Sequence, residues 1–277
     1  MPGQDLAFYA APGPLTELSA DQVELIRGLD PDPRGLCRAA QGLVVSPPDA
    51  AGAGLSEHRM AESNTRPARA LVGRVLELDA APLDRRRPAE RRVVGTCRHF
   101  AVMATAFLRA IGVPARARCG FATYFVAPQK VDHWIVEYWS PEDRRWIRID
   151  PEYVGRDTPG AARAEDLLPG EFLTAGEAWQ LVRSGQEDAA LFGVFGTENW
   201  GAGEIRGNAM RDLASLVDKV EMLPWDVWGP MEDSYDGTTG REFDGLIDQL
   251  AAACGDHDEP ELERVYEQLA VPASLIG

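Results

Sequence analysis

Between Cys97 and Asp150 the hydrophobic pattern switches once, from helical spacing to alternation, and that switch constrains the fold more than any other feature. Phe100, Ala104, Phe107, Leu108 and Ile111 recur on one helical face. Thr96 is suited to cap the first turn, and Gly112 and Pro114 to stop the last. Strand-like text follows at once, in Ala115 to Cys119, Phe121 to Val126, His133 to Trp139 and Trp146 to Asp150. A helix that runs directly into antiparallel strands predicts an α+β core with the helix packed on the sheet.

The flanks are predicted to be mainly helical. Ser19-Ala20-Asp21 opens a short helix through Val23, Ile26 and Leu29, and Asp30-Pro31-Asp32-Pro33 ends it. A Pro/Gly/Ala-rich loop is expected from Ser46 to Gly54. A helix is expected from Glu62 to Leu78, with Pro67 in its first turn or splitting it, and then an exposed connection from Ala80 to Glu90. Beyond Pro159, Thr174 and Glu177 form a capping box, and helical stripes follow around Leu213, Leu250 and Leu262 to Leu269. The expected organisation is an N-terminal helical and loop segment (1–60), a catalytic core (61–158) and a mainly helical extension packed on it (159–277).

The chemistry falls inside the core. Cys97, at the first helical position, would meet unpaired amide hydrogens and the positive end of the helix dipole, both of which stabilise a thiolate. His99 lies two residues along the same helix and points away from it. His58 and His257 lie in text without supporting pattern, which leaves His133. If Trp139 pairs with Trp146, then Glu137 faces Arg148 and Ile135 faces Asp150, giving an aromatic pair and an opposite-charge pair. His133 and Asp150 then share a sheet face as diagonal neighbours, about 7–8 Å apart at the backbone; a one-residue slip would separate them. Singly, these are a buried helix cysteine, a strand histidine and a strand-ending aspartate. Together they supply a nucleophile, a base and an orienter for acyl transfer.

Composition removes other classes. The net charge of −16 disfavours nucleic acid and anionic membrane surfaces. The one basic cluster, Arg85 to Arg87 with Arg91 and Arg92, reads as a solvated connector. Cys37, Cys97, Cys119 and Cys254 form no Cys-x-x-Cys pair, and the four histidines form no zinc motif, so neither a metal nor a cofactor is expected. Without an export signal or an apolar span, a cytoplasmic protein with reduced thiols is expected. The oligomeric state is not legible.

The run Gly95-Thr96-Cys97-Arg98-His99-Phe100-Ala101, its continuation Ala106 to Arg116, His133-Trp134 with Glu137 and Trp139, and Trp146 with Asp150-Pro151 together resemble the transglutaminase-like superfamily. Within that superfamily, which shares the papain-like cysteine protease fold, the stand-alone bacterial type is the nearer likeness. The resemblance implies Cys97 as nucleophile, His133 as general base and acid, and Asp150 as its orienter. It implies a substrate with an amide or thioester, resolved by water or by an amine acceptor. Cleavage of a peptide or other amide is the first expectation, amide formation on a small amine the second, and a catalytically silent binding module the rival. The family's tryptophan upstream of the nucleophile, which serves the oxyanion, has no counterpart here. Gln41 and Asn64 are the side-chain donors open to that role, beside the Cys97 amide. The calcium loops of animal transglutaminases and the paired zinc cysteines of the peptide:N-glycanase branch are absent.

Overall fold

The computed structural model describes residues 6–156, 163–218, 223–232, 235, 238–256 and 259–269. Their contacts divide into two compact units, one of residues 6–117 with 135–167, the other built on 118–134 with the chain from 168 onward. His257, and the last residues before and after Pro159, lie outside the described residues.

In the first unit, helices α1 (Leu6–Ala10), α2 (Ala20–Arg27) and α3 (Pro33–Gln41) lead into strand β1 (Val44–Val45). Ser19 caps α2 in a full capping box with Gln22, and Asp32 caps α3, with Pro33 at its first position. Where a loop is expected after Ser46, the chain forms helix α4 (Pro47–Gly52). The signal was local: the Ser46 hydroxyl accepts the Asp49 amide, and Pro47 needs no donor at a helix start. Helix α5 (Glu57–Met60) follows, and Pro67 splits the next stretch, leaving a single 3₁₀ turn at 61–64 and helix α6 (Ala68–Leu78).

The connection from Ala80 to Glu90 is not simply exposed, since Leu83 and Arg87 are buried. Of the basic cluster within and beyond it, Arg85, Arg86 and Arg91 are exposed, as a solvated connector would be, while Arg87 is buried and Arg92 half-buried. Arg87 Nη2 donates to the Asp79 and Ala81 carbonyls at 3.0 and 2.7 Å, and Arg91 Nη1 to the Leu78 carbonyl at 2.7 Å. A guanidinium has five donors and can tie off a loop that lacks a ladder.

Strand β2 (Val93–Val94) pairs in parallel with β1 and delivers the chain to α7 (Cys97–Ala110). α7 is buried along nearly its whole length and packs on α3, with Val102 and Ala106 against Leu15 and Ala68. Strand β3 (Ala115–Ala122) is one strand where two were expected. It ends at Ala122; the Thr123 amide still donates to the Glu171 carbonyl, one step on in the β3–β6 register, and residues 123–126 form no strand. Gly120 sits inside β3 because a Cβ there would lie 2.1 Å from the Leu173 carbonyl.

Strands β4 (Lys130–Ser140), β5 (Arg145–Ile149) and β6 (Phe172–Thr174) complete a sheet of order β5-β4-β3-β6, with β7 (Phe192–Gly193) parallel to the start of β4. In the second unit, Thr174 and Glu177 cap α8 (Ala175–Arg183) as expected. α9 (Ala202–Val217), α10 (Asp244–Asp256) and α11 (Glu259–Gln268) pack with it. The mixture of helices and an antiparallel sheet is the α+β class that the hydrophobic pattern predicts. No described helix is long and apolar enough to cross a membrane.

Candidate active site

Cys97 opens α7, preceded by Thr96 in the extended conformation of an N-cap. It is half-buried, whereas Cys37, Cys119 and Cys254 are fully buried. Burial, with Asp32 adding to it, pushes the Cys37 thiol far above the ordinary range. The segment before Cys97 is held by His99. The Thr96 amide donates to His99 Nδ1 at 2.9 Å, so Nε2 carries the hydrogen and donates to the Thr65 carbonyl at 3.0 Å. Burial, helped by Arg98, holds the His99 ring neutral, with its pKa lowered to about 3. His99 is thus a structural brace, in accord with its exclusion as the base. Gly95 is required beside it, because a Cβ there would lie 2.6 Å from the His99 Cβ.

The register between β4 and β5 is the one the aromatic and charge pairs require. Trp139 lies opposite Trp146, Glu137 opposite Arg148 and Val136 opposite Ile149. That pair is the last of the register, one residue short of Asp150, whose amide donates to the Ala164 carbonyl at 2.7 Å. Glu137 is gripped by Arg116 Nε at 2.8 Å and Arg148 Nε at 3.0 Å, and the Arg116 guanidinium lies 4.0 Å from the Trp146 ring centroid.

His133 is buried. The Phe125 ring stands at 88° to the imidazole with centroids 5.0 Å apart, and Tyr124 stands edge-on at 6.5 Å. Asp150 is fully buried at the end of β5. Its Oδ1 accepts the amides of Glu152 at 2.9 Å and Tyr153 at 3.2 Å, which shapes the turn that follows.

A sulfur, a ring nitrogen and a carboxylate oxygen, from Cys97, His133 and Glu152, lie within 4.8 Å of one another. Glu152 was not singled out in the sequence. The only trace of it there is Asp150-Pro151, an aspartate placed to fold the chain back on itself. Chemically the group is a thiol beside an imidazole with a carboxylate in reach. The same donor types could hold a divalent metal such as zinc.

Of the two amides considered for the oxyanion, Asn64 is exposed and gives its Nδ2 to the Ala61 carbonyl at 3.3 Å. Gln41, at the end of α3, is buried. Its Oε1 accepts from Arg86 Nη1 at 2.6 Å, and its Nε2 points to the Glu152 carbonyl at 3.5 Å.

The family model described as transglutaminase-like superfamily matches residues 61–151. A Protein-glutamine gamma-glutamyltransferase of Pseudomonas aeruginosa (strain PAO1) is 37% identical over 67 residues, which cover 21% of this chain and 10% of that protein. The chain therefore spans a small part of the length of this relative. No solved structure matches.

Proposed function

We propose that this chain, whose residues 61–151 match the transglutaminase-like superfamily, is a cysteine-dependent acyl-transfer enzyme that cleaves a peptide or other amide bond. The observation that carries the reading is the approach of the Cys97 sulfur, a His133 ring nitrogen and a Glu152 carboxylate oxygen within 4.8 Å of one another, and the role given to Asp150 rests on the resemblance. In the proposed cycle, the Cys97 thiolate attacks the carbonyl carbon of the substrate. The carbonyl oxygen takes up the negative charge, held by the Cys97 amide and by Gln41 Nε2. The tetrahedral adduct then collapses to a thioester as the C–N bond breaks, and the imidazolium of His133 gives its proton to the leaving nitrogen. Water, losing a proton to His133, attacks the thioester, and the acid leaves with the thiolate restored. Asp150 holds His133 in the orientation both steps need.

A second reading replaces water by an amine, which makes a new amide bond from the same thioester. The likeness to the Pseudomonas protein-glutamine gamma-glutamyltransferase favours it. The choice rests on whether water or an amine reaches the thioester first.

The test is direct. A thiol-directed reagent should modify Cys97 far faster than buried Cys37, and His133→Ala should slow the reaction of Cys97 itself. An activated ester should leave a trapped acyl group on Cys97, which is then offered water and primary amines in competition. Equal labelling of the cysteines removes the enzymatic reading, and loss of the preference on adding a chelator replaces it with a metal site.

A further inference from the structure

We propose that α9 positions His133, through a buried polar clamp that grips the residue preceding it, Asp132, and the neighbouring strand. The inference rests on the reading that His133 serves Cys97.

The clamp is built from two residues one helical turn apart. Asn208 and Asp212 are four positions apart and so share a face of α9, and both are fully buried. Asp212 takes β3: its carboxylate accepts Arg118 Nε at 2.9 Å, Arg118 Nη2 at 2.8 Å and the Cys119 amide at 2.9 Å. Asn208 takes β4: its Nδ2 donates to Asp132 Oδ1 at 2.7 Å. Side chains alternate along a strand, so Asp132 and His133 point to opposite faces, and the helix can hold one without obstructing the other.

Asn208 is itself fixed from behind. Its Oδ1 accepts Arg211 Nη1 at 2.9 Å, and Arg211 Nη2 donates to the Tyr235 hydroxyl at 2.8 Å. Arg211 also pairs with Glu204 at 3.3 Å. Burial opposes the Arg211 charge, yet Tyr235, Glu204 and Asp132 around it hold it protonated. Burying so many polar groups is costly compared with an apolar helix face, and what they add is fixed direction. At the first residues of β4 direction matters, because a reacting group misplaced by about 1 Å loses much of its rate. The helical half of the chain beyond the family match thus acquires a role: it sets where the base stands.

The test uses the full chain, with acylation of Cys97 by an activated ester as readout and thermal unfolding as a control. Asp132→Ala and Asn208→Ala should each slow acylation on the order of tenfold with KM little changed. Asp132→Asn keeps a carbonyl oxygen for the Asn208 amide and should restore most of the rate. Equal loss in Asp132→Asn and Asp132→Ala would overturn positioning in favour of the charge. Full acylation rate in Asp132→Ala and Asn208→Ala would overturn the clamp, provided His133→Ala is slow. If His133→Ala is as fast as the parent, the failure belongs to the functional reading instead.

Discussion

The carboxamide of Gln41 has one end firmly held and the other held only weakly. Arg86 holds Oε1 at 2.6 Å, so Nε2 is the end turned toward Glu152, and its 3.5 Å contact with that carbonyl is at the edge of hydrogen bonding. A donor that is buried, oriented and weakly used is what a developing oxyanion needs, because no reorganisation accompanies the reaction. Asn64, exposed and engaged with its own turn, lacks those properties. Gln41→Ala should therefore lower the acylation rate about a hundredfold with little change in KM, and Asn64→Ala should leave it unaltered. Single-turnover acylation measures both, and a Gln41→Ala variant as fast as the parent would remove Gln41 from the reaction. The sequence offered both amides and could not choose. The proposal of Gln41 over Asn64 rests on Arg86, which contacts α3 from a loop some forty residues later.

At the scale of elements, the β4–β5 hairpin shows what was legible and why. Its register follows from side chains that satisfy one another only in one alignment: Trp139 with Trp146, and Glu137 with Arg148. The same is true of α7 and of α8, whose caps and stripes are local. By contrast the sequence at α4 predicts a loop, because its proline and glycine content outweighs a Ser-Pro start. Arg87 does not stand out from the solvated arginines around it, because nothing in a run of arginines reveals which one turns inward to backbone carbonyls. Glu152 was missed since its place is set by a turn, not by a period. The hairpin also carries a stability prediction. Glu137 is buried between Arg116 and Arg148, so Glu137→Leu strands a buried guanidinium and should cost about 3–5 kcal/mol in urea unfolding. A cost under about 1 kcal/mol would mean that the apolar and aromatic packing alone sets the register.

At the scale of the whole molecule, two buried groups give pH dependences of opposite sign, one in each compact unit. His99 belongs to the first; burial lowers its pKa from 6.5 to about 3, so the unfolded chain binds a proton that the folded ring refuses. Its contribution is complete above pH 6.5 and is lost as pH falls toward 3. Glu204 belongs to the second; burial raises its pKa from 4.5 to about 7 against the pull of Arg211, so the folded chain keeps a proton that the unfolded chain gives up. Its contribution is complete below pH 4.5 and is lost as pH rises through about 7. Between pH 4.5 and 6.5 each group alone would tilt stability by roughly 1.4 kcal/mol per pH unit, in opposite directions. If the two units unfold together, the tilts cancel, and these groups leave the parent flat across that window. His99→Gln should then uncover a decline with rising pH, and Glu204→Gln an increase. If the units unfold separately, the parent already shows two urea transitions whose midpoints move apart with pH, and each substitution flattens only one. Variant-minus-parent slopes of one sign in both cases would show that at least one of these groups ionises normally in the folded chain.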